Sequence, residues 1–199
     1  MKHQRQRTKK NEITSMTIII GILAVILIGD LVGAVMYVRQ SPSMQAELMD
    51  YLATGDSLSF LQIFWQQFLY QFTIWTMGLT VIGNLVNIFL IFVRGVSAGF
   101  NIAVLVQEAS FGVLVLWLIQ YLLIIATTVL SAYFSIRFAY LVVKSVMLKK
   151  YDLLKRHFKN YARQFVVIMV LTMVTSLFTA VITPIVQNQF SISEVVAEI

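Results

Sequence analysis

The chain contains no cysteine and only two histidines. Without cysteine it forms no disulfide and has no thiolate ligand or thiol nucleophile. His3 and His157 both lie in basic segments, and no H-E-x-x-H metal motif occurs. The serines of the apolar stretches have no neighbouring histidine or lysine to act as a base, which serine chemistry inside a membrane requires. We therefore expect no enzymatic activity, no metal site and no cofactor.

Charged residues are also scarce. They make up 12% of the chain, whereas hydrophobic residues make up 59% and the mean hydropathy is +0.83. Soluble domains have about 45–50% apolar residues, so the composition indicates an integral membrane protein. A membrane-crossing helix takes about 20 apolar residues, and 199 residues therefore hold about five such helices with no soluble domain. The net charge of +6 does not indicate nucleic-acid binding, because lysine and arginine are concentrated in two runs beside apolar stretches.

The apolar stretches predict an all-α integral membrane protein with about five transmembrane helices. Residues 1–15 form a basic cytoplasmic tail, and residues 16–199 form a single membrane domain. The predicted spans are about 16–38, 73–93, 95–108, 112–140 and 165–186. Apolar residues recur at helical spacing over 60–72, which indicates an outer interfacial amphipathic helix. The segment 95–106 is short for a crossing, so a re-entrant half-helix stays open there.

The distribution of charge predicts the orientation. The N-terminal tail and the segment 144–164 are basic, so both should face the cytoplasm. The loop 39–59 and the C-terminal tail carry acids and, apart from Arg39, no basic residue, so both should lie outside. An inside N-terminus and an outside C-terminus require an odd number of crossings, which five satisfies.

Small and polar residues within the spans are the candidate contact sites. Small-x-x-x-small pairs let two helix backbones approach closely. The helix-packing candidates are Gly29, Gly33, Gly78, Gly83, Gly95 and Gly99. The intramembrane polar candidates are Asp30, Asn84, Asn87, Asn101, Glu108, Gln120 and Arg137.

Several of these polar residues have two interpretations. Asn84 and Asn87 are three residues apart and share a helix face, where they bond a neighbouring helix or line a hydrophilic path. Glu108 is either a solvated loop acid or the outer end of a buried site. Arg94 and Arg137 lie near predicted span ends, and we expect both to reach the lipid headgroups.

The basic segment 144–164 predicts a cytoplasmic helix. Its charged face suits anionic lipid, and its apolar face suits a cytoplasmic partner. A plain positive-inside connector explains the same charges. The candidate residues are Lys149, Lys150, Lys155, Arg156, Lys159, Tyr151, Leu154 and Phe158.

Residues 78–100 read GLTVIGNLVNIFLIFVRGVSAGF. This stretch resembles the signature of the stage II sporulation protein M family, which has a glycine-bearing helix, a basic residue followed at once by glycine, and a further glycine-aromatic step. The matching positions are Gly78, Gly83, Arg94-Gly95 and Gly99-Phe100. The chain length, the five predicted spans and the basic loop before the last span also fit, so the resemblance covers nearly the whole chain.

One departure marks the chain as a divergent member of the resembled family. The following helix of the family carries a histidine and a glutamate four residues apart, together with prolines. Here those positions are Gln120 and Ile124, and the helix has no proline. The role of that polar pair therefore does not carry over to this chain.

The resemblance implies a non-catalytic multi-pass subunit that assembles or gates a complex of the bacterial cytoplasmic membrane. Family members hold peptidoglycan-degrading enzymes in a sporulation complex, or are encoded with circular bacteriocins for production, export or immunity. The implied partners are the lipid bilayer, an ABC-type exporter or a peptidoglycan-hydrolase complex, and a hydrophobic peptide, within a hetero-oligomer. The alternative is a small transporter or channel subunit whose path is lined by Asn84, Asn87, Asn101, Glu108 and Gln120.

Overall fold

The computed structural model describes the backbone of residues 2–45, 59–80, 82–108, 111–149 and 151–197. Side chains are described for 15–45, 59–80, 82–107, 111–149, 154 and 157–185. Five long helices fill these ranges: α1 (Lys2–Val38), α2 (Phe60–Met77), α3 (Gly83–Glu108), α4 (Phe111–Met147) and α5 (Tyr151–Ala197). No strand occurs within them. The predicted all-α fold is confirmed.

Within the described residues, four helices contain a segment long and apolar enough to cross a membrane. These segments are Ser15–Val38, Gly83–Gln107, Phe111–Met147 and His157–Ile185. The remaining helix, α2, is 18 residues long and carries four glutamines, which lower its hydropathy. The architecture is therefore that of a membrane protein with several spanning helices.

The most extensive helix–helix interface joins α1 to α3, and the two helices run in the same direction. Ile26 faces Gly95, and Gly33 faces Val96. Farther along, the Tyr37 hydroxyl donates a hydrogen bond to Gln107 Oε1 at 3.1 Å. Since residue numbers rise together along both helices, α1 and α3 are parallel.

The other helices alternate in direction around this pair. Helix α4 is antiparallel to α1, because Tyr121 contacts Asp30 and Tyr133 contacts Ser15. Helix α5 is antiparallel to α4, with Gln120 bonded to Thr179 near one end and the Phe138 ring stacked on Tyr161 near the other. The shared core draws on four helices, with members Ile22, Ile26, Ile74, Ile91 and Ala132.

The chain does not turn at Arg94. Helix α3 runs unbroken from Gly83 to Glu108, so the predicted spans 73–93 and 95–108 are not separate helices, and no half-helix begins at Gly95. Arg94 is accommodated in the middle of α3 because its guanidinium lies over the Tyr70 ring of α2 inside the bundle. A glycine in a helix costs only about 1 kcal/mol, and Gly95 packs against α1.

The helix break occurs instead between Met77 and Gly83. The Thr80 backbone N–H donates to Met77 O at 3.2 Å, which closes a turn after α2. The Thr80 hydroxyl then accepts a hydrogen bond from the Gly83 N–H at 3.0 Å. Threonine is a favoured N-cap because its oxygen satisfies a free N–H at a helix start, so this pair of contacts fixes where α3 begins.

Residues 60–72 lie within α2, which continues to Met77. The Ser59 N–H donates to Gln62 Oε1 at 2.9 Å, which caps the start of α2. The helix buries Ile63, Gln71 and Ile74 against its neighbours. The same periodicity that suits a membrane surface therefore also suits a bundle helix with one buried face.

Candidate functional site

A laterally open cleft of about 440 Å³ lies between α3 and α4, with Tyr70 of α2 among its lining residues. Its apolar lining comes chiefly from Leu90, Val93, Trp117 and Ile124. Its polar lining residues are Arg94, Ser97, Asn101, Gln120, Tyr70 and Tyr121. Small-molecule sites commonly have about 300–1,000 Å³ and a mainly apolar wall with a few polar groups, so the cleft has the size and composition of a ligand site.

Among the residues that the structure describes, Arg94 is the only cationic one that lines the cleft. It lies eleven residues after the start of α3 and fourteen before its end, or about 17 and 21 Å along the axis. Its guanidinium carbon lies 4.5 Å from the centre of the Tyr70 ring. The Tyr70 hydroxyl donates to Leu90 O at 3.1 Å, which holds the ring in place. Cation–π contact stabilises a desolvated arginine by about 2 kcal/mol.

No carboxylate among the described side chains pairs with Arg94. Asp30, on α1, instead accepts hydrogen bonds from the Tyr121 hydroxyl at 2.6 and 2.7 Å from its two oxygens. Trp117 stacks on Tyr121 with ring centres 5.2 Å apart. Asp30 is thus bonded to Tyr121 and does not itself line the cleft, and Arg94 supplies a positive charge there that no described carboxylate pairs.

Helix α3 is fixed from its other side by the glycine seam, which consists of Gly29, Gly33, Gly95 and Gly99. A Cβ at Gly29 would lie 2.5 Å from Phe92 O, and a Cβ at Gly95 would lie 2.5 Å from Ile26 O. At Gly33 it would overlap the Val96 carbonyl, and at Gly99 the Asp30 carbonyl. The two backbones are therefore in direct contact, the arrangement that small-x-x-x-small spacing permits.

The end of α2 is held by a polar knot, which consists of Ile74, Trp75, Asn87, Ser135 and Tyr161. Asn87 Nδ2 donates to Ser135 Oγ at 2.7 Å and to Ile74 O at 3.2 Å. The Tyr161 hydroxyl donates to Trp75 O at 2.7 Å. Ser135 Oγ of α4 also donates to Ile74 O at 3.0 Å. The Ile74 and Trp75 carbonyls, which accept from the Gly78 N–H at the helix end, therefore receive further hydrogen bonds from side chains of α3, α4 and α5.

The remaining packing glycines border these features. A Cβ at Gly78 would overlap Ser135 Oγ and Tyr161 Oη of the polar knot. At Gly83 it would overlap the Met77 carbonyl oxygen. Gly78 therefore requires the smallest residue because α4 and α5 pack against it, and Gly83 because the preceding turn lies against it.

The structure distributes the sequence-derived polar candidates over several places. Asn101 and Gln120 line the cleft, and Asn87 belongs to the polar knot. Asn84 is partly buried one residue after the start of α3. Arg137 is exposed and donates to the Tyr133 hydroxyl at 3.2 Å. Of the described members of the predicted polar path, Asn101 and Gln120 therefore share the cleft, whereas Asn84 and Asn87 do not line it.

The basic segment is described only in part. Lys149 and Lys159 are exposed, and Leu154 is partly buried. The rings of Phe158 and Phe138 pack with their centres 6.2 Å apart. The other candidates lie outside the described side chains: Glu108, Lys150, Tyr151, Lys155 and Arg156.

Reasoning from sequence missed Arg94 as a member of the cleft, together with Tyr70, Trp117 and Tyr121. The sequence predicts that Arg94 lies near a span end, because the predicted span 73–93 stops at this charge. A signal was present, since apolar residues continue on both sides of Arg94 at helical spacing. A charge within such a stretch faces the bundle interior or a cavity.

A family model described as stage II sporulation protein M matches residues 13–184. The chain belongs to the stage II sporulation protein M family. The matched range includes the glycine seam, the polar knot and every residue that lines the cleft. Searches of curated proteins and of solved structures gave no match.

In this member of the stage II sporulation protein M family, the signature stretch contributes residues to two faces of α3. Gly95 and Gly99 contact α1, and the adjacent Arg94 lines the cleft. Adjacent residues project about 100° apart on a helix, so one short motif both packs α3 and presents a charge.

Proposed function

We propose that this family member is a non-catalytic multi-pass subunit that assembles or gates a cell-envelope complex in the bacterial cytoplasmic membrane. The observation that carries the proposal is that polar side chains inside the bundle bind other helices. Asp30 is bonded to Tyr121, Asn87 to Ser135, and Gln120 to Thr179. Together with the glycine seam, these bonds make a fixed framework, as expected of a scaffold on which partners assemble.

The experiment is affinity purification of the tagged full chain in mild detergent, with mass spectrometry of the proteins that come with it. A peptidoglycan hydrolase or septal protein would support the sporulation-type setting. An ABC-type protein, or a membrane protein encoded with a circular bacteriocin, would support peptide export or immunity. The same bait in a harsh detergent is the control for detergent-sensitive association.

A small transporter or channel is the second candidate, because Asn101, Gln120 and Arg94 share the cleft. Recovery of the chain without partners, combined with solute flux in proteoliposomes that contain only this chain, would contradict the subunit proposal and favour transport.

The proposed topology has five crossings with α2 as one of them, an inside N-terminus and an outside C-terminus. Three observations support it. Because α1 and α3 are parallel, the chain between them must recross. Helix α2 runs opposite to α3, since Tyr70 contacts Leu90 and Ile74 contacts Asn87. Its 18 residues extend about 27 Å, close to the hydrocarbon thickness of about 30 Å.

Because the chain has no cysteine, single-cysteine variants test this topology directly. We expect Ser43→Cys to react with a membrane-impermeant maleimide in intact cells, because the loop after α1 lies outside. Lys149→Cys should react only after permeabilisation, because five crossings place the end of α4 inside. Labelling of both sites in intact cells is the result expected of four crossings and would contradict the proposal. The unmodified chain is the control.

A further inference from the structure

The cleft opens at the flank of the bundle, and its charge points to a ligand. Val93, Ser97 and Asn101 of α3 line it and are exposed. These residues lie well inside a segment apolar enough to cross a membrane, Gly83–Gln107. A molecule that enters at this level therefore comes from the hydrocarbon region of the bilayer.

The charge of Arg94 at this depth is energetically unfavourable unless an oppositely charged group binds it. Placing a charged side chain at the centre of a membrane helix costs at least about 2.5 kcal/mol of insertion free energy. The Tyr70 ring covers one face of the guanidinium, but cation–π contact leaves the planar N–H donors unpaired by an acid. Arginine donors are arranged as a fork that fits the two oxygens of a phosphate or carboxylate.

We propose that the cleft binds an amphiphilic acid, with its phosphate or carboxylate oxygens on Arg94 and its hydrocarbon chain against Trp117 and the apolar lining. Asn101 and Gln120 supply amide donors at the same cleft. Gln120 Nε2 already donates to Thr179 Oγ1 at 3.2 Å, which orients that side chain. The volume of about 440 Å³ accommodates an acidic group with part of one chain but not a helix. This site is independent of the proposed assembly role.

Quenching of Trp117 fluorescence measures occupancy. The full chain is reconstituted in phosphatidylcholine bilayers that contain increasing fractions of brominated phosphatidic acid, brominated fatty acid or brominated phosphatidylcholine. The difference between the parent chain and Trp117→Phe isolates the signal of the cleft from that of Trp65 and Trp75. We expect each acid to reach half-maximal quenching at a fraction about tenfold lower than phosphatidylcholine, as one charge-assisted contact of that strength provides.

Variants at Arg94 decide the role of the charge. Arg94→Gln should abolish the preference for the acids, and Arg94→Lys should retain part of it because lysine keeps the charge without the fork. Arg137→Gln is the matched control, since this arginine lies on α4 outside the cleft, and it should leave the preference unchanged. Circular dichroism and gel filtration establish that each variant is folded.

Three results would overturn the proposal. Two are an equal response to acids and phosphatidylcholine in the parent chain, and an unchanged preference in Arg94→Gln. The other is displacement of the brominated acids by inorganic phosphate at equal concentration, which would show that the hydrocarbon chain contributes nothing and that the ligand is a soluble anion. No displacement by phosphate supports a ligand that comes from the membrane.

Discussion

Substitution of Gly33 by leucine should separate α1 from α3. A Cβ at this position would overlap the Val96 carbonyl oxygen and approach Phe100 N at 2.8 Å. The obstructing atoms belong to the backbone of α3, so no side-chain rotation relieves the overlap. Overpacking costs about 1–3 kcal/mol and occasionally more, and a clash between two backbones belongs at the upper end. We expect a loss of about 3 kcal/mol or more in the free energy of unfolding.

The measurement is unfolding of the purified chain in mixed micelles with increasing SDS, followed by circular dichroism. Gly21→Leu is the matched control, because Gly21 is on the same helix and a Cβ there meets nothing within 4 Å. Leucine is also a better helix former than glycine, so the control variant should be as stable as the parent or more stable. Equal stability of Gly33→Leu and Gly21→Leu would show that the glycine seam does not hold the bundle.

The second large effect is expected from Asn87→Ala. This change removes the hydrogen bonds from Asn87 to Ser135 Oγ and Ile74 O and leaves a void, since Asn87 is fully buried. Hydrogen bonds between membrane helices contribute about 0.6 kcal/mol on average and up to about 1.7. Two such bonds and the void together predict a loss of about 2 kcal/mol.

Asn101→Ala provides the comparison for Asn87→Ala, because it makes the same change on the same helix at an exposed position. Its stability should stay within about 0.5 kcal/mol of the parent. A double-mutant cycle of Asn87→Ala with Ser135→Ala should show coupling, because the two side chains bond each other. Additive losses would mean that Asn87 acts by packing alone.

The proposed ligand site and the proposed assembly role depend on different residues of α3. The glycine seam fixes the position of α3 through Gly95 and Gly99, and the cleft uses Arg94 and Asn101. We therefore expect Arg94→Gln to abolish the ligand preference with a smaller loss of stability than Gly33→Leu, because removal of the desolvated charge offsets part of the lost cation–π contact.

Much of the fold could be predicted from composition and periodicity. Helices in a bilayer satisfy their own backbone hydrogen bonds, so long apolar stretches were enough to indicate an all-α membrane protein. The two small-x-x-x-small pairs were visible in the sequence, and the structure places Gly29 and Gly33 against Gly95 and Gly99. That these pairs face each other could not be deduced, because local spacing does not state which helix is the neighbour.

The helix boundaries near 78–100 show where local reasoning fails. The predicted span 73–93 stops at the charge of Arg94, and a threonine three residues before a glycine was not recognised as a helix start. In the structure the Tyr70 ring accommodates Arg94, while side chains of α3, α4 and α5 add hydrogen bonds to the carbonyls of Ile74 and Trp75. Partners from other helices decide which charge is tolerated and which helix end is stable.

The sequence by itself determined that this protein is helical, hydrophobic and closely packed at glycine, because those properties follow from residue type and spacing along the chain. Only the tertiary structure decided that Arg94 lines a cleft and that Tyr121 donates a hydrogen bond to Asp30, a residue 91 positions away. The reason is physical. A charge inside a membrane is stabilised by whatever groups surround it, and those groups come from helices that are distant in sequence.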